Sequence, residues 1–181
     1  MKSNEVRIVG GEWRSRRIRF SPRADVRPTP DRVRGTLFNW LGQDLSGLAC
    51  LDLFAGSGAL GFEAASRGAK RVVMVERDRV AHEALVANRE ALAATQVELV
   101  RRDALEFLRG DRAQYDVIFL DPPFSEKYWS RLLPLLPPRL GLGGRVYYES
   151  DTRAQWPNEW EVHKEGRAGQ VMFQLVGRAE E

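Results

Sequence analysis

The stretch LDLFAGSGALGFEAASRGAKRVVMVERD, residues 51–78, decides the fold of this 181-residue chain. An apolar run leads into a loop that holds Gly56, Gly58 and Gly61, and a helix-like segment and a second apolar run follow it. Glu76 ends that second run, 20 residues after Gly56. Glycines at this spacing let the backbone turn sharply and approach a nucleotide, while the acid accepts hydrogen bonds from ribose hydroxyls. The stretch therefore predicts a strand–loop–helix–strand unit that binds an adenosyl cofactor.

The same alternation continues along the chain after the glycine loop. Strand-like apolar runs, which we expect to be buried on both faces of a sheet, lie at 48–54, 71–76, 97–100, 115–121 and 144–150. Helix-like segments lie between them at 59–67, 79–93, 104–109 and 127–136. Such alternation indicates a mostly parallel, doubly wound α/β sheet with right-handed crossovers. Residues 160–178 read instead as two strands around a glycine-containing turn, which predicts a C-terminal antiparallel hairpin.

The N-terminal segment has a different pattern. Residues 6–20 predict a small β-hairpin with a basic middle. Thr29 can cap a following helix with Pro30 at its first position, and Gly42 is placed to end that helix. We expect two parts, an N-terminal β-hairpin and helix over residues 1–42 and a main α/β domain over residues 43–181.

Charge asymmetry supports that division. Residues 1–40 hold ten Lys and Arg against four acids, although the whole chain carries a net charge of only +3. A basic arm on a slightly acidic body is suited to a polyanion, because each phosphate contact releases counterions. A solvated surface in a chain that uses Arg far more than Lys is the alternative explanation.

Several classes of protein are excluded by composition. No apolar run reaches the length of a membrane span. Cys50 is the single cysteine and lies in an apolar run, so we expect a buried residue, no disulfides and a reducing cytoplasm. His82 and His163 have no cysteine neighbours, so we expect no metal site. The glycine loop lacks the Lys-Ser/Thr of a P-loop, and Ser57 lacks the flanking glycines of a serine nucleophile elbow.

One acid, Asp52, favours S-adenosylmethionine over NAD as the cofactor, and a second, Asp103, is a candidate for the adenine. Asp52 precedes Gly56 by four residues, where it can reach the amino group of a methionine moiety. Dehydrogenase strands usually stay apolar up to this loop. Asp103 follows the strand at 97–101, where a carboxylate can accept the adenine amino group or cap the next helix; both roles are open.

The most specific signal is Asp121-Pro122-Pro123-Phe124 at the end of the run YDVIFLD. A base amino nitrogen is a poor nucleophile because its lone pair is delocalised into the ring. Asp121 and a backbone carbonyl held by the prolines can accept both amino hydrogens and aim that lone pair at a methyl group. Phe124 offers a face for the unstacked base. The alternative is a rigid turn that only ends a strand.

The chain resembles the small-subunit ribosomal RNA guanine-N2 methyltransferases of the RsmD type. The stretches that carry the likeness are RIVGGEWRSRRI (7–18), RPTPDRVRGTLFNWL (27–41), LDLFAGSGALGFEAASRGA (51–69), VERD (75–78), RRDA (101–104) and FLDPPF (119–124). The resemblance implies a Rossmann-like class I methyltransferase fold with a seven-stranded sheet. It also implies methyl transfer to guanine N2 in 16S rRNA within the small subunit.

Site residues follow from the same likeness. Those expected to bind S-adenosylmethionine or cover its site are Asp52, Phe54, Gly56, Gly58, Glu76, Asp103, Ala104 and Thr29. Those expected to hold the guanine are Asp121, Pro122 and Phe124. Those expected to contact rRNA are Arg7, Arg14, Arg16, Arg17 and Arg27. Gly35 departs from the pattern, which has a glutamate there.

Other functions remain open at this point. D-P-P-F chemistry alone does not separate guanine N2 from adenine N6 in DNA or RNA, and only the N-terminal likeness does. A protein glutamine methyltransferase is disfavoured because such proteins typically begin the motif with Asn. An NAD-linked oxidoreductase leaves D-P-P-F and the basic arm unexplained, and an RNA-binding module with a dead cofactor site conflicts with the intact motifs. With no exposed apolar stripe, we expect a monomer.

Overall fold

A seven-stranded sheet forms the centre of the computed structural model, which describes residues 4–24, 26–122 and 125–180. Its strands are β3 (Ala49–Asp52), β4 (Arg71–Val75), β5 (Val97–Val100), β6 (Tyr115–Leu120), β7 (Leu140–Ser150), β8 (Trp160–Ala168) and β9 (Val171–Arg178). The order across the sheet is β5-β4-β3-β6-β7-β9-β8. All pairs from β5 to β7 are parallel, while β9 pairs antiparallel with both β7 and β8. The predicted fold class and C-terminal hairpin are confirmed.

The predicted helices all form. They are α1 (Asp31–Leu41), α2 (Ala59–Ser66), α3 (Arg79–Leu92), α4 (Ala104–Gly110) and α5 (Glu126–Leu132). The last predicted segment is split, since α5 ends at Leu132 and two short 3₁₀ turns carry the chain on to Arg139. Side chains cap three of the helices at their first turns, because Asp78, Asp103 and Ser125 accept hydrogen bonds from backbone N–H groups there.

The N-terminal hairpin is short but present. Strands β1 (Glu5–Arg7) and β2 (Arg17–Arg19) pair antiparallel, with Val6 opposite Ile18. Both side chains are buried, so this hairpin packs against the body of the protein. One detail of the prediction for α1 is wrong: Pro30 is the cap residue and Thr29 makes no capping hydrogen bond. Gly42 does end α1, with a positive φ of 94°.

Alternating side chains of the strands pack into two apolar layers, one on each face of the sheet, as expected for a sheet covered on both faces. One layer joins the hairpin and helices α1, α2 and α3 to the sheet, and it includes Cys50 and Phe119. The other packs α4 and the chain after α5 against the opposite face, where Ile118 and Tyr148 lie. The edge strand β5 is only partly buried, so its prediction as a strand buried on both faces is wrong.

A buried charge network joins the N-terminal segment to the sheet's first helix. Glu63 on α2 is fully buried and forms ion pairs with Arg34 of α1 at 3.2 Å and with Arg67 at 2.9 Å. Glu63 also accepts hydrogen bonds from the backbone N–H groups of Val9 and Gly10. The carboxylate thus pairs with two cations and also accepts hydrogen bonds from the backbone between β1 and β2. These contacts hold the N-terminal segment in one orientation.

Among the described residues, no helix combines the length and the apolar character needed to cross a lipid bilayer.

Candidate active site

A cavity of about 460 Å³ opens at the carboxyl ends of the parallel strands. Its walls come from the chain after β3, β4, β5 and β6, and from residues 26–29 of the N-terminal segment. The volume lies in the range typical of small-molecule sites, and the position is the one where doubly wound sheets bind ligands. Predicted residues that line it are Arg27, Thr29, Asp52, Phe54, Gly56, Glu76, Asp103, Ala104 and Asp121.

The glycine loop curves around this cavity because two of its residues adopt left-handed backbone angles. Gly56 has φ 55° and Gly58 has φ 83°, a region that side chains with a Cβ rarely adopt. A Cβ on Gly58 would also lie 2.7 Å from atoms of Phe62 and Leu85. Gly58 itself is the cap residue of α2 and supports the loop from behind.

Asp52 is the most deeply buried acid of the cavity wall, with 2% of its surface exposed. Its Oδ2 accepts a hydrogen bond from the backbone N–H of Gly61 at 3.0 Å, which ties the end of β3 to α2. Burial raises the pKa of Asp52 to about 7, and the nearby charges of Asp121 and Glu76 add to the effect. A positive ligand group beside these acids would lower their pKa values and be held strongly.

Glu76 and Asp103 lie on the other side of the cavity. Burial raises the pKa of Glu76, although contacts with the backbone N–H groups of Gly56 and Asp78 oppose the shift. Asp103 caps α4 by accepting hydrogen bonds from Leu105 and Glu106, so the capping role is confirmed. Asp103 also lines the cavity, which leaves it available to a ligand.

Asp121 stands where β6 ends, and its side chain is open to the cavity. Much of Asp121 is accessible to solvent, but neighbouring protein atoms partly desolvate its carboxylate. This desolvation raises the pKa of Asp121 to about 7, with a further contribution from the negative charge of Glu149. Pro122 follows it, partly buried, while Phe124 and Pro123 lie outside the described residues.

Sequence reasoning missed two residues of this region. Tyr128 of α5 lines the cavity and its ring meets that of Phe54 edge-on, with centroids 6.0 Å apart. Glu149 is buried at the end of β7 and accepts hydrogen bonds from Thr29 and Tyr147. No local motif marks either position. One signal could have identified Glu149, because it is an acid at the end of a predicted strand.

The predicted RNA-contacting arginines are all exposed. Arg17 forms an ion pair with Glu5, and Arg16 donates a hydrogen bond to the carbonyl of Ala91 at the end of α3. Arg27 differs from the hairpin arginines because it lies at the cavity itself. The exposed hairpin and the cavity are therefore connected through residues 26–29.

Within the part of the chain that the structure describes, no group of three or more His, Cys, Asp or Glu is arranged to hold a metal ion. The single cysteine, Cys50, is buried, and burial raises its thiol pKa to about 12.

Comparison with known proteins gives full-length matches. The family described as conserved hypothetical protein 95 matches residues 6–177. Ribosomal RNA small subunit methyltransferase D of Escherichia coli strain K12 is 38% identical over 181 residues, covering 97% of this chain and 91% of that protein. The Haemophilus influenzae protein of the same name is 39% identical, covering 94% of this chain and 93% of its own.

The three-dimensional comparison agrees. The solved structure of the yhhF protein from Escherichia coli superimposes with a TM-score of 0.85 at 37% identity, covering 96% of this chain and 98% of that one. The resemblance inferred from the sequence motifs is therefore confirmed. The chain belongs to the family described as conserved hypothetical protein 95, the family of ribosomal RNA small subunit methyltransferase D.

Proposed function

We propose that this protein transfers a methyl group from S-adenosylmethionine to the exocyclic N2 amine of a guanine in 16S rRNA of the small ribosomal subunit. One observation carries the proposal: Asp52 and Glu76, beside the glycine loop, line the same cavity as Asp121 at the end of β6. A methyl donor and an amino acceptor can therefore meet in one space. The names of the relatives support small-subunit rRNA as the substrate.

The charge of the cavity suits this cofactor. S-adenosylmethionine supplies a methyl group on a positively charged sulfonium and also carries a positive amino group. Asp52, Glu76 and Asp121 provide negative charge around the cavity, and burial makes each of them harder to ionise when no cation is near. We assign Asp52 to the methionine amino group and Glu76 to the ribose. Phe54, Gly56, Gly58, Asp103, Ala104 and Thr29 complete the cofactor site.

The acceptor nitrogen is activated by hydrogen bonding. Asp121 accepts one hydrogen of the guanine amino group, and a backbone carbonyl beside Pro122 accepts the other. These bonds draw the nitrogen towards tetrahedral geometry and orient its lone pair. Phe124 supplies a stacking face for the base. Because the sulfonium is already a good leaving group, positioning rather than strong base catalysis supplies most of the acceleration.

RNA binds through the N-terminal segment, residues 1–42, and residues 43–181 carry the chemistry. Arg7, Arg14, Arg16, Arg17 and Arg27 contact phosphates of the rRNA. Among the described residues, the large hydrophobic side chains that are exposed are Leu142 and Val162. Two such side chains do not make an apolar interface, so the protein acts as a monomer, in the cytoplasm where ribosomes assemble.

The test is nucleoside mass spectrometry on small-subunit particles from a strain that lacks this protein. Purified protein and S-adenosylmethionine are added, and the rRNA is digested before and after. We expect N2-methylguanosine to appear at one nucleotide, which cleavage mapping then locates. N6-methyladenosine would keep the chemistry and overturn the choice of base. No new methylated nucleoside would contradict the proposal and direct the search to DNA and protein acceptors.

A further inference from the structure

Glu149 is a buried acid that no motif of the family resemblance includes. It lies one residue beyond Tyr148, which pairs in parallel register with Leu120, so Glu149 and Asp121 occupy adjacent positions on neighbouring strands. Parallel neighbours are about 4.8 Å apart in the sheet. Only 7% of Glu149 is exposed, and it backs onto Thr29, a residue of the cavity wall.

The hydrogen bonds of Glu149 fall on one of its two oxygens. Oε2 accepts from the hydroxyl of Thr29 at 3.0 Å and from the hydroxyl of Tyr147 at 2.8 Å. Within the described residues, Oε1 accepts no hydrogen bond. Because Oε1 is not fully enclosed by protein atoms, it has capacity for a donor that a ligand brings.

We propose that Glu149 determines the base specificity of this site by accepting the N1–H of the target guanine through Oε1. The inference rests on the proposed function, because it presumes that the base amino group lies at Asp121. Guanine presents N1–H and the N2 amine side by side on its Watson–Crick edge, and adjacent carboxylates provide two adjacent acceptors for them. Adenine presents an acceptor at N1, which would face the oxygen of Glu149 without a hydrogen.

This arrangement answers the question that D-P-P-F chemistry leaves open. Asp121 can accept from the amino group of either purine, so it does not separate guanine N2 from adenine N6. A site with a buried acceptor rejects a base that lacks the matching donor, because the acceptor is then left unpaired. The hydroxyls of Thr29 and Tyr147 both donate to Oε2, which leaves Oε1 as the oxygen that meets the base.

The variant Glu149→Gln tests this inference without removing the side chain. The amide oxygen of glutamine can still accept from Thr29 and Tyr147, and this leaves the amide NH₂ at the position of Oε1. That NH₂ is a donor and would face the N1–H donor of guanine, so the two cannot form a hydrogen bond. It can instead donate to N1 of adenine, which is an acceptor. We therefore expect kcat/KM on guanine to fall about tenfold or more and the preference for guanine over adenine to fall by at least as much.

The assay uses purified small-subunit particles with either guanine or adenine at the nucleotide that the first experiment maps. Tyr147→Phe removes one of the two hydroxyls that donate to Oε2 but keeps the carboxylate, and Glu161→Gln neutralises an exposed acid of β8. Melting temperature and S-adenosylmethionine affinity are measured for every variant to establish that it folds and binds the cofactor. We expect Tyr147→Phe to keep the preference for guanine, and the exposed variant to match the wild type.

An unchanged guanine-to-adenine preference in Glu149→Gln would overturn the assignment. So would an equal loss of preference in Tyr147→Phe, since Glu149 would then act only as a support for its neighbours. Failure of the wild-type protein to methylate guanine particles is a separate result, because it contradicts the proposed function itself.

Discussion

Asp52 is a single residue of the cavity that lowers the stability of the folded protein. It is nearly inaccessible to solvent, and its surroundings raise its pKa to about 7. An unfolded chain ionises its Asp residues near pH 4. Between these two values the unfolded state has lost a proton that the folded state keeps, so the stability of the protein falls as pH rises through this window. On the proposed function, Asp52 offsets this cost by binding the positive amino group of S-adenosylmethionine.

We expect Asp52→Asn to stabilise the protein without cofactor while it weakens cofactor binding. Asn stays neutral at all pH values and its Oδ1 can still accept from Gly61. Its melting temperature should exceed that of the wild type at pH 8, and the difference should narrow as pH is lowered to 5. Scanning fluorimetry across this range checks the stability, and calorimetric titration with S-adenosylmethionine should show at least a tenfold loss of affinity. A constant difference across pH would contradict the role of ionisation.

Asp121 should control the pH dependence of the reaction. Only its ionised form is a pure acceptor for the amino group, and the pKa of this carboxylate is raised to about 7. The kcat/KM for S-adenosylmethionine should therefore rise with pH up to about 7 and level off above it. Asp121→Asn should lower kcat at least a hundredfold and leave cofactor affinity within about threefold. Near-normal turnover of that variant would show that amino-group hydrogen bonding is not the source of activation.

At the scale of elements, helix α1 contains a residue that weakens it. Gly35 lies inside the helix, and a Cβ built there would meet no atom within 4 Å. The glutamate that the family pattern has at this position would therefore fit, and its absence has no explanation in the packing.

Gly35→Ala should stabilise the protein by about 1 kcal/mol, the usual difference in helix propensity between the two residues. Urea unfolding measures the change, and rRNA methylation should be unaffected. Gly58→Ala is the contrasting variant, because Gly58 has a positive φ and no room for a Cβ. Gly58→Ala should destabilise the protein. If it stabilised the protein as Gly35→Ala does, the positive φ and close packing of Gly58 would not require a glycine.

The whole molecule depends on a joint between its N-terminal segment and the sheet. Arg34 is 1% exposed, and besides Glu63 it donates to the carbonyls of Arg7 and Thr29. The same residue thus fixes β1, the cavity wall at Thr29 and α2. These contacts hold the basic hairpin and the cavity at one spacing, which the proposed recognition of a particular nucleotide requires.

Arg34→Met keeps the volume of the side chain and removes its charge. We expect the free energy of unfolding to fall by about 3 kcal/mol, because a buried ion pair is broken and Glu63 loses one of its two cations. Chemical unfolding measures this loss, and limited proteolysis should cut the N-terminal segment first. Arg32→Met, at an exposed position on the same helix, is the control and should change stability by less than about 0.5 kcal/mol.

RNA binding by the hairpin should depend on salt. Arg14→Gln combined with Arg16→Gln removes two proposed phosphate contacts, so the slope of log affinity against log salt should decrease by about 2. Filter binding to small-subunit particles over a range of KCl measures the slope. The matched control neutralises Arg109 and Arg112, which are exposed at the end of the sheet away from the cavity. An unchanged slope in the hairpin variant would exclude the hairpin from the interface.

Short-range patterns in the sequence were enough to predict most of the architecture. The alternation of strands and helices, the glycine loop, the hairpins and the helix end at Gly42 all follow from side-chain periodicity and turn chemistry within a few residues. Four acids of the cavity, Asp52, Glu76, Asp103 and Asp121, were also predictable, because the carboxyl ends of parallel strands converge. The sequence by itself thus determined the fold class and the site's location.

Only the tertiary structure decided which distant side chains meet. Thr29 reads locally as a helix cap, yet it donates to Glu149, 120 residues away. Arg34 is a charged residue of α1, yet it is buried against Glu63 because packing of the N-terminal segment excludes water there. The strand order in which β9 lies between β7 and β8 is likewise one of several that the local patterns allow. Such contacts depend on chain packing over long separations, and local sequence patterns carry no record of it.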